Sequence, residues 1–260
     1  MGISVSVSSN KGGAGKTSIT LNLALLFAQN GYKVLAVDGD GQKNLSKSLT
    51  DLSYDEIDKI VGLYELLTIK EIRAEEVIVK SKYENVDLLP SNSKSAENLM
   101  DLKTNSEISA YEYLAQKLAH IKNKYDIIFL DCPPSLGVVT INELFFSDYV
   151  IVPVTTSDYD LRGFLETTKT ISNLQSVNAK TKLLGIVLNA YNARSNMGRD
   201  VEKSIMDSDF KEELFKTKIR QSVKVNESTF YGPIVTDYTN TTVYDDFVGL
   251  YKEVKRRLGI

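Results

Sequence analysis

The 260-residue sequence predicts an α/β fold: a doubly wound, mainly parallel sheet flanked by helices. Three observations carry that prediction. Short β-branched runs alternate with helical stretches along the whole chain, the pattern of strands joined by crossover helices. A glycine-rich loop separates the first strand from the first helix. Acidic residues close two of the apolar strands, and strand ends of that kind face the ligand crevice of a parallel sheet.

The first strand is Ile3-Ser4-Val5-Ser6-Val7, β-branched and alternating. The loop is Asn10-Lys11-Gly12-Gly13-Ala14-Gly15-Lys16-Thr17, and an apolar helix over 18–28 follows it. Strand, glycine-rich loop and helix form the setting that gives a phosphate-loop motif its meaning. Gly12, Gly13 and Gly15 lack the Cβ that would keep backbone N–H groups from turning inward around an anion. The helix start at Thr17 and Ser18 adds unpaired donors and a partial positive charge. Lys16 is placed to reach the β- and γ-phosphates, and the Thr17 hydroxyl to ligate Mg²⁺. The fold class is therefore that of a phosphate-loop NTPase, with ATP and Mg²⁺ as expected cofactors. The binding set runs through Lys11, Gly12, Gly13, Ala14, Gly15, Lys16, Thr17 and Ser18.

The loop departs from the general pattern in one place. Asn10 stands where a glycine is usual, and Lys11 follows it, giving K-G-G-x-G-K-T. This resembles the deviant Walker A motif of the ParA/MinD family of ATPases. The resemblance implies that Lys11 reaches the nucleotide held by a partner subunit. A second family signature follows the strand Lys33-Val34-Leu35-Ala36-Val37: Asp38-Gly39-Asp40-Gly41-Gln42-Lys43-Asn44 resembles D-x-D-P-Q-x-N, with Gly41 replacing proline. By that resemblance, Asp40 helps position the attacking water and the magnesium shell, and Asp38 supports the loop. Gln42 and Asn44 would belong to a nucleotide-sensing switch.

Residues 51–73 are polar and helical in tendency, with Ile57, Ile60, Val61, Tyr64 and Leu67 at the spacing of a core-facing stripe. A short strand over 86–89 runs into Pro90-Ser91. Helices are expected over 93–100 and 107–124, the second with an apolar stripe of Tyr111, Leu114, Ala115, Leu118 and Ile121, and with His120 on the surface. Tyr125-Asp126-Ile127-Ile128-Phe129-Leu130-Asp131 is a buried strand closed by an acid, the Walker B pattern, which assigns Asp131 to the Mg²⁺ shell. Cys132-Pro133-Pro134-Ser135 completes it with a stiff turn, a second candidate switch. Cys132 reads as a small buried residue, since no histidine stands ready as its base.

Further strands are expected over 149–154 and 182–189, with a helix over 159–174 between them carrying Leu161, Phe164, Leu165 and Thr168 on one face. Asn189 ends its strand where the family places an asparagine that reads the adenine edge. A polar stretch over 191–199 precedes a helix expected over 202–209. Residues 215–228 resemble a late family segment near the base pocket, and Pro233 in Gly232-Pro233-Ile234 matches the loop that packs on adenine. The last helix, 243–258, carries Tyr244, Phe247, Val248, Tyr251, Val254 and Leu258 on its apolar face.

The chain has one cysteine, one histidine and a net charge of −3. A disulfide within the chain is excluded, a zinc or iron–sulfur site within one chain is disfavoured, and a cytoplasmic location fits. No apolar run approaches the ~20 residues that span a bilayer. With no linker, repeat or low-complexity segment, residues 1–260 are expected to form a single deviant Walker A ATPase domain.

Relatives in the family share this site and differ in cargo. The first reading is a DNA-partition ATPase of the ParA type: slow alone, dimeric with ATP, nucleoid-associated, and stimulated by a ParB-like centromere-binding partner. DNA binding would be sequence-independent and salt-sensitive. Lys224, Arg220 and the cationic end of the last helix (Lys252, Lys255 and Arg256) are the candidate DNA contacts; a solvated face is the alternative for each. The first strand starts at Ile3, so no operator-binding helix-turn-helix is expected. The second reading is a MinD-like membrane-associating regulator of division-site or cargo placement. It competes poorly because the apolar face of the last helix reads as core, and no membrane partner is expected.

Overall fold

The computed structural model describes residues 2–95, 111–155, 160–176 and 180–260. The strands are β1 (Ile3–Val7), β2 (Val34–Asp38), β3 (Val79–Lys80), β4 (Val86–Leu89), β5 (Ile127–Asp131), β6 (Tyr149–Thr155) and β7 (Lys182–Asn189). They form one seven-stranded sheet in the order β3-β4-β2-β5-β1-β6-β7. Every pairing is parallel except the edge pair β3–β4. The chain winds one way from β1 to β2 and β4, and the other way from β6 to β7. The crevice of such a sheet lies at the carboxyl ends of its central strands.

The helices are α1 (Lys16–Gln29), α2 (Asn44–Leu49), α3 (Tyr54–Ile57), α4 (Leu63–Thr68), α5 (Ala74–Val77), α6 (Tyr113–Leu118), α7 (Val138–Phe146), α8 (Asp160–Ser176), α9 (Asn196–Met206), α10 (Val223–Tyr231), α11 (Ile234–Asp237) and α12 (Thr242–Leu258). β2, β5 and β6 read as near-continuous apolar runs because both faces of the sheet are covered. In β2, Val34 and Ala36 join a core with α1 and α12, while Leu35 and Val37 join another with α4 to α7. β5 divides the same way, with Ile127 and Phe129 to one side and Ile128 and Leu130 to the other. β6 and β7 pack through Val150, Val152, Ile186 and Leu188 against Ile171 of α8 and Val201 and Ile205 of α9.

α1 is the central helix of its layer. Its Phe27 is fully buried, edge-on to Tyr251 of α12 at 4.8 Å and tilted against Phe129 of β5 at 5.5 Å. Burial of one such side chain contributes about 1.5–3 kcal/mol. α12 begins at Thr241, whose side chain accepts from the Tyr244 N–H, and ends at left-handed Gly259.

The structure corrects several boundaries. The stripe expected over 51–73 is broken into α3 and α4. Gly62 passes so close to the end of β4 that a Cβ there would lie 2.4 Å from the Pro90 carbonyl. That carbonyl accepts the Leu63 N–H at 2.9 Å instead of leaving a continuous helix. Val61, a member of the expected stripe, is exposed. α9 starts six residues earlier than expected, because its polar first turn conceals the core positions Val201 and Ile205. α7 and β3 have no counterpart among the expected elements. The expected helix over 107–124 is seen as α6, and Tyr111 is exposed. Residues 96–110 of the two helices expected after Ser91, and Tyr159 at the start of the next, lie outside the described residues.

Candidate functional site

The glycine-rich loop joins β1 to α1 at the carboxyl end of the sheet. Gly13 and Gly15 both have positive φ, +75° and +87°, so each needs the left-handed conformation that glycine tolerates best. Gly12 and Gly13 are exposed, and nothing lies within 4 Å of where a Cβ would stand. Gly15 is the N-cap of α1; no side chain caps the helix, and no acid sits in its first turn. The leading N–H groups of α1 are thus left for an anion.

Lys16 is 6% exposed and donates to the Lys11 carbonyl at 2.9 Å, which curls the loop around the amine. Burial pushes its pKa down, opposed by the charges of Asp131 and Asp40. Lys11 is partly exposed on the rim. Thr17 and Ser18 line the cleft beneath, together with Asp40, Pro134 and Asn189; its volume is about 380 Å³. A larger groove, about 910 Å³, lies at the opposite end of the sheet, lined by Tyr149, Lys182 and Arg256. Its acids are Glu202, Glu212 and Glu213, and neither the strand-end aspartates nor the glycine-rich loop reaches it.

Three carboxylates approach the cleft from strand ends. Asp38 and Asp131 are register partners on β2 and β5. Asp38 is fully buried. Its Oδ2 accepts from the Ser46 N–H at 2.8 Å and the Ser46 hydroxyl at 2.6 Å, and its Oδ1 from the Asp40 N–H at 3.1 Å. It therefore ties β2 to α2 and shapes the turn, while burial pushes its pKa up to about 7. Asp40 is partly exposed, and its Oδ1 accepts from the Gln42 N–H at 2.9 Å. Asp131 is 1% exposed and stands by the Thr17 and Thr20 hydroxyls. Its Oδ2 is buried with no hydrogen-bond partner among the described residues. An orphaned carboxylate oxygen beside a threonine hydroxyl and below an anion cradle fits a magnesium–nucleotide pair, because each lone group gains a partner when the pair binds.

Asn189 ends β7 and is 7% exposed. Its Nδ2 donates to the Ala14 carbonyl at 2.9 Å, and a Cβ on Gly15 would fall 2.1 Å from that nitrogen. Here the asparagine holds the loop itself. Pro233 is buried at the N-cap of α11 and does not line the cleft. One cleft-lining residue went unnoticed in the sequence. Ala190 adopts a positive φ of +49°, a strained state for a residue other than glycine that gathers at functional sites. No local signal marks it.

The candidate DNA cations do not form one patch. Arg220 lines the nucleotide cleft and makes a bidentate pair with Asp246 of α12, at 2.6 and 2.7 Å. Lys224 pairs with Glu227 at 2.8 Å and lies 5.4 Å above the Tyr238 ring. Lys252 is exposed, Lys255 sits 5.3 Å above the Tyr32 ring, and Arg256 is 3.8 Å from Glu253. The α12 end lies by the start of β7, where Arg257 caps the carbonyls of Leu184, Glu213 and Leu214. Arg220 lies by the other end of that eight-residue strand, about 25 Å away at ~3.3 Å per residue.

A parallel sheet with this loop, two strand-end acids and an early lysine defines a phosphate-loop nucleotide-binding protein of the deviant Walker A kind. A family profile described as an AAA domain matches residues 3–184. The sporulation initiation inhibitor protein Soj of Bacillus subtilis (strain 168) is 31% identical over 256 residues, 98% of each chain. The chromosome partitioning protein ParA of Caulobacter vibrioides (strain NA1000 / CB15N) is 28% identical over 90% of this chain and 86% of its own. Among solved structures, cobyrinic acid a,c-diamide synthase from Mycobacterium smegmatis with bound ADP and magnesium aligns with a TM-score of 0.83 and 26% identity. That alignment covers 100% of this chain and 96% of the other. The chain belongs to the ParA/MinD-type family of phosphate-loop ATPases.

Proposed function

We propose that this protein is a partition-type ATPase. With ATP and Mg²⁺ bound it forms a homodimer that binds DNA without sequence preference, and a ParB-like centromere-binding partner triggers hydrolysis and release. The observation that carries this reading is the K-G-G-x-G-K-T cradle over one cleft with Asp40 and Asp131, in a chain similar to Soj along nearly its whole length.

In this reading the loop N–H groups and Lys16 hold the phosphates. Thr17 and Asp131 hold the Mg²⁺ shell, and Lys11 contacts the nucleotide of the facing subunit. Magnesium, when bound, neutralises charge that develops on the phosphate oxygens. Asp40 orients the attacking water and takes its proton. Little covalent chemistry is asked of the protein; position and charge suffice. Two separate groups of cations are the candidate DNA contacts, Lys224 and Arg220 at the cleft end and Lys252, Lys255 and Arg256 at the other. The packing of Phe247, Leu250 and Val254 of α12 into the core with α1 favours this over membrane insertion of that helix.

The test uses Asp40→Ala, loaded with ATP or ADP. This variant should bind ATP and dimerise but not turn over. It is titrated against a random-sequence duplex across a salt series, with anionic liposomes in parallel. ATP-dependent, salt-sensitive DNA binding is the expected result. Liposome binding without DNA binding would replace it with a MinD-like role, and turnover at the wild-type rate would remove Asp40 from the mechanism.

A further inference from the structure

Glu143, on the inner face of α7, is fully buried, and among the described residues the Cys132 thiol is the polar group its carboxyl meets. No cation pairs with it among the described residues, which is unusual for a glutamate at no exposure. The Cys132 thiol, also fully buried, stands beside it. Burial raises both groups well above their ordinary pKa.

The carboxyl has a specific seat. A Cβ placed on Gly39 would lie 2.2 Å from Oε1, 2.7 Å from Cδ and 2.7 Å from Oε2. The whole carboxyl therefore fills the space that a side chain at residue 39 would take. Gly39 has no positive φ, so the backbone does not demand glycine there, and the space for a side chain is taken by the Glu143 carboxyl. Gly39 also donates to the Asp131 carbonyl at 3.1 Å. It lies between Asp38, which shapes the turn, and Asp40. The other side of the contact is α7, which begins just after the Cys132–Ser135 turn beside the cleft. Through Glu143 that helix touches the Asp38–Asp40 turn.

We propose that Glu143 is a positioning residue: its carboxyl, seated on Gly39, fixes the Asp38–Asp40 turn against α7 and so sets where Asp40 stands over the cleft. It is buried behind the turn, does not line the cleft, and acts through the turn. The inference rests on the reading of Asp40 as the water-positioning carboxylate. The seat itself is a packing claim that can be tested without nucleotide.

The experiment compares wild type with Glu143→Ala, Glu143→Gln, Gly39→Ala and Gly39→Ala/Glu143→Ala. Melting temperatures are read without nucleotide, ATP affinity by titration, and kcat at a temperature where every variant is folded. Glu143→Ala and Gly39→Ala should each lower the melting temperature and lower kcat about tenfold or more, since ~1 Å of misplacement can cost a hundredfold. ATP affinity should stay within about twofold, a split that simple loss of stability would not give. Glu143→Gln keeps the shape that fills the seat, and should keep kcat. In the double variant the Gly39→Ala methyl enters the space vacated by the carboxyl, so melting temperature and kcat should both recover above either single variant. A double variant no better than the worse single one would overturn the seat, as would wild-type kcat in Glu143→Ala. If Asp40→Ala alone retains turnover, the reading of Asp40 fails, while recovery of melting temperature in the double variant still decides the seat.

Discussion

Arg220→Ala separates a DNA contact from a structural tie. The guanidinium gives Nε to Asp246 Oδ2 at 2.6 Å and Nη2 to Oδ1 at 2.7 Å, while the Arg220 N–H gives a third bond to Oδ2 at 3.0 Å. The Asp246 side chain is 10% exposed and that of Arg220 48%. Hydrogen bonds to charged groups contribute about 1.5–3 kcal/mol each. The open side of the arginine lets solvent screen the pair, so two such bonds are discounted to a coupling of about 2 kcal/mol. In a chain of this size each kcal/mol moves Tm by about 2–4 °C, which gives a fall of about 4–8 °C. The assay is a double-mutant cycle in urea and in calorimetry with Arg220→Ala, Asp246→Ala and the double variant. DNA binding is measured in parallel across salt, below the Tm of the weakest variant. A coupling under about 0.5 kcal/mol, with a salt slope reduced by about one, would refute the structural tie and make Arg220 a phosphate contact.

Lys16→Ala should abolish nucleotide binding in a fluorescent-ATP titration, and tight binding by this variant would remove the loop from the site. Gly15→Ala forces an alanine to φ +87° and a methyl to 2.1 Å from Asn189 Nδ2. A left-handed alanine alone costs about 1–2 kcal/mol, so ATP affinity should fall about tenfold or more, and wild-type affinity would show that the loop relaxes freely. The His120 ring and Lys124 amine lower the Glu75 pKa to about 2 from an ordinary 4.5. A lowered carboxylate pKa stabilises the fold above about pH 4.5 and loses that contribution as pH falls toward 2. His120→Ala should therefore flatten the acid limb of Tm against pH; an unchanged limb would show that the contact contributes nothing.

The loop and the principal strands were legible in the sequence because their signals are local. Glycines at fixed offsets define the cradle, and β-branched runs closed by Asp38 and Asp131 define β2 and β5. Because these strands lie in parallel register, both acids had to arrive at the same end of the sheet. What the sequence left open depends on contacts between distant residues. Gly62 interrupts a helical stripe because Pro90 passes close by. Asn189 grips Ala14 from 175 positions away. Arg220 looked like a free cation until α12 brought Asp246 to it. The candidate DNA cations fall into two groups, separated by the length of β7. Glu143 and Gly39 each looked ordinary alone; only the packing of α7 on the end of β2 put a carboxyl where a Cβ would be. Local pattern determines which elements form and what chemistry their ends carry. Tertiary packing decides which side chains are already spent, because hydrogen bonds and excluded volume are settled by neighbours in space.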